Sequence, residues 1–230
     1  MDEFTTSESV LNYLSTIVDG AFIGDSCSRL SGGFGNFVWR VQLKNSYQRM
    51  SSVILKHGKD YAAASREISF PLDRMAFELD ALNIFSSIFP STNIHDDMPS
   101  VRVPRVLHAD LESHVLIIED AGDHPSLKTF LSASPPHPSA TSISIDVGKA
   151  LGTFLRTLHE LGRNNTTYRR LFSNNTTARN LCAWRDAGRL EQAVQQYGGS
   201  EYLNATREID GFIQSAIHKS EETFNMGDFW

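Results

Sequence analysis

Cysteine is scarce in this chain. Cys27 and Cys182 are the two present in 230 residues, too few and too far apart for a disulfide framework or a metal cluster. Both read as reduced thiols packed as small apolar groups. An excess of positive charge is also missing: 21 Lys and Arg stand against 27 Asp and Glu, a net charge of −6 spread along the chain. With no basic stripe to neutralise a phosphate backbone, nucleic acid is not an expected partner. No apolar run approaches the length of a membrane span, and the acidic start MDEFTTSESV lacks the charged-then-apolar pattern of a secretion signal. These absences predict a soluble globular chain with no membrane partner and a cytoplasmic location. The N-x-[ST] sequons at Asn164, Asn165, Asn174, Asn175 and Asn204 are accordingly read as polar loop residues rather than glycosylation sites.

What is present has a clear order. Val10, Leu11, Leu14 and Ile17 recur at helical spacing and predict a first amphipathic helix over 7–18. From Cys27 to Leu43 the pattern becomes β-rich and broken by glycines, and polar NSYQRMSS then leads into the apolar run SVILK, predicting three antiparallel strands in succession. Pro71 suits the first position of a helix whose apolar face is Leu72, Met75, Ala76, Leu79, Leu82 and Phe85. VRVPRVLHA and SHVLIIED add two strand candidates across the turn-like DLE. Pro- and Ser-rich SASPPHPSATS, residues 132–142, predicts a linker. Beyond it a helix with Val147, Leu151, Phe154, Leu155 and Leu158 on one face is expected to end at Gly162, followed by helices over DAGRLEQAVQQY and SEYLNATREIDGFIQSAIHK. Strands first and helices second predict an α+β chain with two segregated lobes.

Three features carry candidate chemistry. LSGGFGNFVWRV places Gly32, Gly33 and Gly35 between strand-like segments, where a backbone without Cβ atoms can approach a phosphate; the plain alternative is a hairpin turn. VILK delivers Lys56 at the end of a strand, either as a solvated terminus or as an ammonium aimed into a cleft. Glu78 lies three residues after Met75, four before Leu82 and seven before Phe85, so it stands on the flank of the apolar face of its helix, where a carboxylate wants a cation. Lys56 is one candidate partner for Glu78 and Arg74 another, while Glu67 competes for Lys56.

This order of features, glycine-rich hairpin, strand-terminal lysine, helical glutamate and the strand VLIIEDAG, resembles the small lobe of a protein-kinase-like fold. Within that fold, RMAFELDAL, VPRVLHAD, LIIEDAG, LGTFLRTLHELG and MGDFW are similar to the aminoglycoside phosphotransferase and choline kinase group. The resemblance runs from about Leu30 to the end and is weak over 163–200. It implies a nucleotide-binding lobe with leading helix and hinge, 1–122, built on a five-stranded antiparallel sheet with one helix, and a partial helical lobe, 123–230. It also implies that Gly32, Gly33 and Gly35 cover the phosphates of ATP, that Lys56 binds the α- and β-phosphates, and that Glu78 orients Lys56. Ile118, Glu119, Asp120 and Ala121 would form a hinge offering backbone groups to adenine, with Ile54 and Ile118 as apolar walls.

Asp228 falls on the catalytic aspartate of an HGDxxxxN loop, with Met226 in place of the usual histidine. The resemblance implies Mg2+, but the asparagine expected five residues after Asp228 and the later metal-binding aspartate would lie past residue 230, so this chain itself offers no metal ligand. The expectation is therefore an ATP-dependent phosphotransferase acting on a small-molecule hydroxyl, incomplete or inactive as this chain, with an acceptor the residues do not identify. The alternative is a non-catalytic nucleotide-binding or scaffolding module, with a protein partner covering the incomplete lobe.

Overall fold

The computed structural model describes residues 4–31, 33–89, 100–132, 140–186 and 190–219. Its chain divides into two compact units, Met1–Ser126 and Leu127–Trp230.

The first unit opens with α1 (Ser7–Thr16), which starts where Thr6 and Ser9 form a reciprocal capping box. A short turn leads into β1 (Gly24–Arg29), β2 (Phe37–Tyr47) and β3 (Met50–His57). The hairpin between β2 and β3 closes on Gln48 and Arg49, both at positive φ, the geometry whose twist matches that of the flanking strands. β2 runs on through Asn45–Tyr47, which the polar composition alone suggests is loop. A small ribbon of β4 (Tyr61–Ala62) and β5 (Ser65–Ser69), which the sequence pattern does not announce, precedes α2 (Arg74–Ile88). The helix begins three residues after Pro71, with Asp73 as its first flanking residue. β6 (Val106–Asp110) and β7 (Val115–Glu119) complete a five-stranded antiparallel sheet in the order β1-β2-β3-β7-β6.

Strand alternation then decides which residues meet. Trp39, Val41, Val53, Leu55, Val115 and Ile117 point to one face and pack with Val10 and Leu14 of α1, together with Phe4 and Phe22. Their alternates, Val38, Ile54, Leu116 and Ile118, point to the other face and pack with Met75, Leu79 and Leu82 of α2. Cys27 is a free, half-buried thiol against the first cluster. β7 is covered on both sides, which is why VLII is apolar without interruption: all four residues are buried.

His57 ends β3 inside the first face, 2% exposed, with its ring 4.6 Å from that of Phe4. Burial first, and Lys59 second, push its pKa down to about 4, against weaker help from the backbone of Ser113 and His114. Above the ordinary histidine range the ring is neutral folded or unfolded. As pH falls through about 6.5 the unfolded chain takes up a proton that the folded chain refuses until about pH 4. Stability should therefore drop across that window by roughly 3 kcal/mol, at about 1.4 kcal/mol per pH unit. Urea unfolding at neutral and mildly acid pH checks this: the acid loss should shrink in His57→Leu, and an equal loss in both proteins would contradict it.

The second unit consists of α3 (Leu127–Leu131), α4 (Ala140–Asn164), α5 (Thr166–Ser173), α6 (Thr176–Asp186), α7 (Leu190–Gln196) and α8 (Leu203–Lys219). Gly162 is an interior residue of α4, which continues to Asn164, so it is not the terminating glycine its spacing suggests. The asparagine pairs expected in loops prove to be helix boundaries. Asn165 Oδ1 accepts from the Tyr168 N–H at 3.0 Å to start α5, and Asn175 Oδ1 accepts from the Ala178 N–H at 2.9 Å to start α6. Arg207 of α8 donates through Nη2 to Glu191 of α7 at 2.6 Å. Among the described residues no helix is long and apolar enough to cross a membrane.

Candidate functional site

The register of the sheet assembles the site. Lys56 pairs with Val38 on β2 and Leu116 on β7, and Ile54 pairs with Arg40 and Ile118. Lys56, Ile54 and Ile118 thus share the α2 side of the sheet, because residues two apart on a strand point the same way. Glu78 stands one turn beyond Arg74 on α2, and its Oε1 receives the Lys56 ammonium in an ion pair. Both side chains are partly exposed, 23% for Lys56 and 25% for Glu78, so the pair is sheltered but open to a ligand. Glu67 lies exposed on β5. Arg74 directs its donors elsewhere, to the carbonyls of Phe70, Pro71 and Gly35 and to Asn36 Oδ1.

The glycine-rich turn between β1 and β2 is held in place by its neighbours. Ala64 N–H donates to the Phe34 carbonyl at 3.1 Å, and the Phe34 and Phe70 rings meet edge to face at 6.1 Å. Gly35 sits under Phe70 so closely that a Cβ would run into the ring, so packing dictates that glycine. Gly33 differs: a Cβ there would meet only the Asn36 carbonyl at 3.5 Å and Val38 at 3.8 Å, ordinary contact distances. Gly32 lies outside the described residues. Asn36, which no motif singled out, donates through Nδ2 to Glu78 Oε2 at 3.2 Å and so joins the turn to the ion pair.

At the end of β7 the segment Ile118–Ala121 leaves the sheet. The Glu119 carboxylate is held by Arg105, through the backbone N–H at 3.0 Å and Nε at 2.6 Å. Its own N–H donates to the Arg105 carbonyl at 3.0 Å. Asp120 turns back under the sheet, where its side chain is 5% exposed. Burial opposes its charge, but hydrogen bonds from Ser52, the Gly122 N–H and Arg40 outweigh burial and hold the carboxyl below the usual range. Arg40 reaches it from β2 with Nε at 2.9 Å, and also donates to the Gly122 carbonyl at 2.8 Å and to Asp123 at 3.0 Å. This clamp fixes the bend at Gly122, whose φ is +90°. Ala121 is exposed between the two anchored residues. Neither Arg40 nor Ser52 was legible as a site residue; the signal was two polar residues, on β2 and β3, on the sheet face that Ile54 shares.

Asp228 and Met226 lie outside the described residues. Among the described residues no group of three or more His, Cys, Asp and Glu side chains could hold a metal ion. The described residues therefore do not by themselves fit a magnesium site.

No family model matches the chain. It is 31% identical over 237 residues to a 4-hydroxytryptamine kinase of Psilocybe cyanescens and 29% identical over 234 residues to a 4-hydroxytryptamine kinase of Psilocybe cubensis, in each case across 99% of this chain and 62% of the relative. A phosphotransferase FrzJ of Cladobotryum sp is 26% identical over 61% of this chain and 39% of its own. The chain thus spans just over three fifths of the length of the two hydroxytryptamine kinases it matches. All three relatives are kinases or phosphotransferases by name.

Proposed function

We propose that this chain is the nucleotide-binding portion of an ATP-dependent small-molecule phosphotransferase with protein-kinase-like architecture. The observation that carries the reading is the Lys56–Glu78 ion pair, set on the same sheet face as Ile54 and Ile118. Adenine lies between Ile54 and Ile118, with its polar edge toward the backbone of Glu119 and Ala121. Gly32, Gly33 and Gly35 pass over the phosphates, and Lys56 meets the α- and β-phosphate oxygens while Glu78 keeps its ammonium aimed.

The acceptor hydroxyl oxygen attacks the γ-phosphorus, the bond from that phosphorus to the ADP oxygen breaks, and the hydroxyl proton passes to the Asp228 carboxylate. Little covalent chemistry falls to the protein in such a transfer, so alignment and charge placement are its main contribution. A divalent ion would neutralise phosphate charge. The acceptor class is a hydroxylated aromatic amine, supported by the names of the two relatives that align along nearly the whole chain. A cytoplasmic location suits such a reaction.

Calorimetric titration with ATP, with and without magnesium, and a product assay over 4-hydroxytryptamine, choline and an aminoglycoside test the reading. Expected is ATP binding, with whatever product forms appearing on the indole amine rather than on the other acceptors. No ATP binding overturns the proposal. Binding that magnesium does not alter, without product from any acceptor, favours a non-catalytic nucleotide-binding module.

A further inference from the structure

Beyond the lysine and its glutamate, we infer that Asn36 is a positioning residue: with Arg74 it latches the glycine-rich turn onto the second oxygen of Glu78, so that one carboxylate sets both the Lys56 ammonium and the turn above it. This rests on the nucleotide reading proposed above.

Glu78 presents two oxygens and both are used. Oε1 takes Lys56, and Oε2 accepts from Asn36 Nδ2 at 3.2 Å. Asn36 Oδ1 in turn accepts from Arg74 Nη2 at 2.9 Å, and the same nitrogen donates to the Gly35 carbonyl at 3.2 Å. Arg74 is itself fixed, donating through Nη1 to the carbonyls of Phe70 and Pro71 at 2.5 and 2.7 Å, with its guanidinium 4.2 Å from the centre of the Phe70 ring. The spacing of four residues between Arg74 and Glu78 puts both on one side of α2, and the amide of Asn36 bridges them.

An amide meets both demands, donating to a carboxylate at one end and accepting from a guanidinium at the other. Aspartate would keep the size but set a second carboxylate against Glu78. Alanine would leave Glu78 Oε2 and Arg74 without this link. The height of the turn over Lys56 is therefore tied to the orientation of Glu78, and a ligand whose phosphates touch both feels the latch. A ligand without phosphates does not.

The test compares ATP, ADP and adenosine binding by calorimetry in the wild type, Asn36→Ala and Asn36→Asp, with thermal unfolding as a check on folding. Expected is a loss of about tenfold for ATP and ADP in both variants, the size of one hydrogen bond to a charged group, with adenosine affinity unchanged. In a Glu78→Gln background the Asn36→Ala change should add little, because the two residues act through one contact. Equal losses for ATP and adenosine would mean general loosening and overturn the assignment, as would unchanged ATP affinity in both variants. A wild type that binds none of the three ligands overturns the nucleotide reading and this assignment with it. A wild type that binds, beside variants that bind as well, overturns only the latch.

Discussion

Lys56→Met is expected to lower ATP affinity or kcat/KM by roughly 10²–10³-fold, the scale seen when one preorganised charge or donor is removed from developing or bound anionic charge. The fold itself should be nearly indifferent. Lys56 and Glu78 are about a quarter exposed, and partly solvated ion pairs contribute only about 1 kcal/mol or less to stability. A melting curve close to wild type beside a collapse of nucleotide binding is thus the signature of a ligand-directed lysine. A solvated strand terminus would give the unchanged melting curve without the loss of binding. Glu78→Gln should reproduce part of the loss, and the double variant should fall short of the sum of the two, since each residue works through the other. Full additivity, or unchanged ATP affinity in Lys56→Met, contradicts the role assigned to the pair.

Arg40→Ala should have the largest effect on folding. Its side chain is 17% exposed and bonds that of Asp120, 5% exposed, and the variant would leave Asp120 charged and buried with only Ser52 and the Gly122 N–H to serve it. Removing one partner of such a pair destabilises by about 3 kcal/mol, at the low end of the buried-pair range because Asp123, another partner of Arg40, lies in solvent. The midpoint in urea should fall accordingly. Arg40→Lys should recover only part of the loss, since an ammonium cannot span Asp120, Asp123 and the Gly122 carbonyl together. Lowering the pH should narrow the difference between wild type and Arg40→Ala. Asp120 has a depressed carboxyl pKa, so its contribution is present above the ordinary carboxylate range and is lost as pH falls through the folded value. A variant as stable as wild type at neutral pH would show that the clamp is dispensable.

How far these groups were legible in the sequence depends on the kind of order each follows. Lys56 and Glu78 could be brought together on paper because each obeys a period: two along β3, and 3.6 along α2 with Met75 and Leu82 as markers. The α+β order and the five antiparallel strands were legible for the same reason. Asn36 was not, since its role depends on a turn folding down onto α2, and turn geometry over glycines leaves little trace in composition. The helices α5 and α6 were missed because their asparagine pairs read as loop; the same side chains favour loops and helix starts through one physical property, a short amide that bonds nearby backbone. Gly162 misleads in the same direction, toward too little helix, because a glycine inside a long helix is tolerated where neighbouring turns supply the stability. Pro71 suits a first helical position but lies three positions before α2, where the Phe70 and Pro71 carbonyls serve Arg74.

The crowding of Gly35 beneath Phe70 bears on how this glycine pattern should be read in kindred chains. The ring fills the space a methyl group would need, so positions 35 and 70 are sterically coupled and should covary: a shrunken side chain at 70 frees 35 to become alanine or serine without loss of the turn. Strict retention of glycine at 35 alongside a bulky aromatic at 70 is then an imprint of packing, whereas retention at 33, where there is room for a side chain, would speak for the ligand.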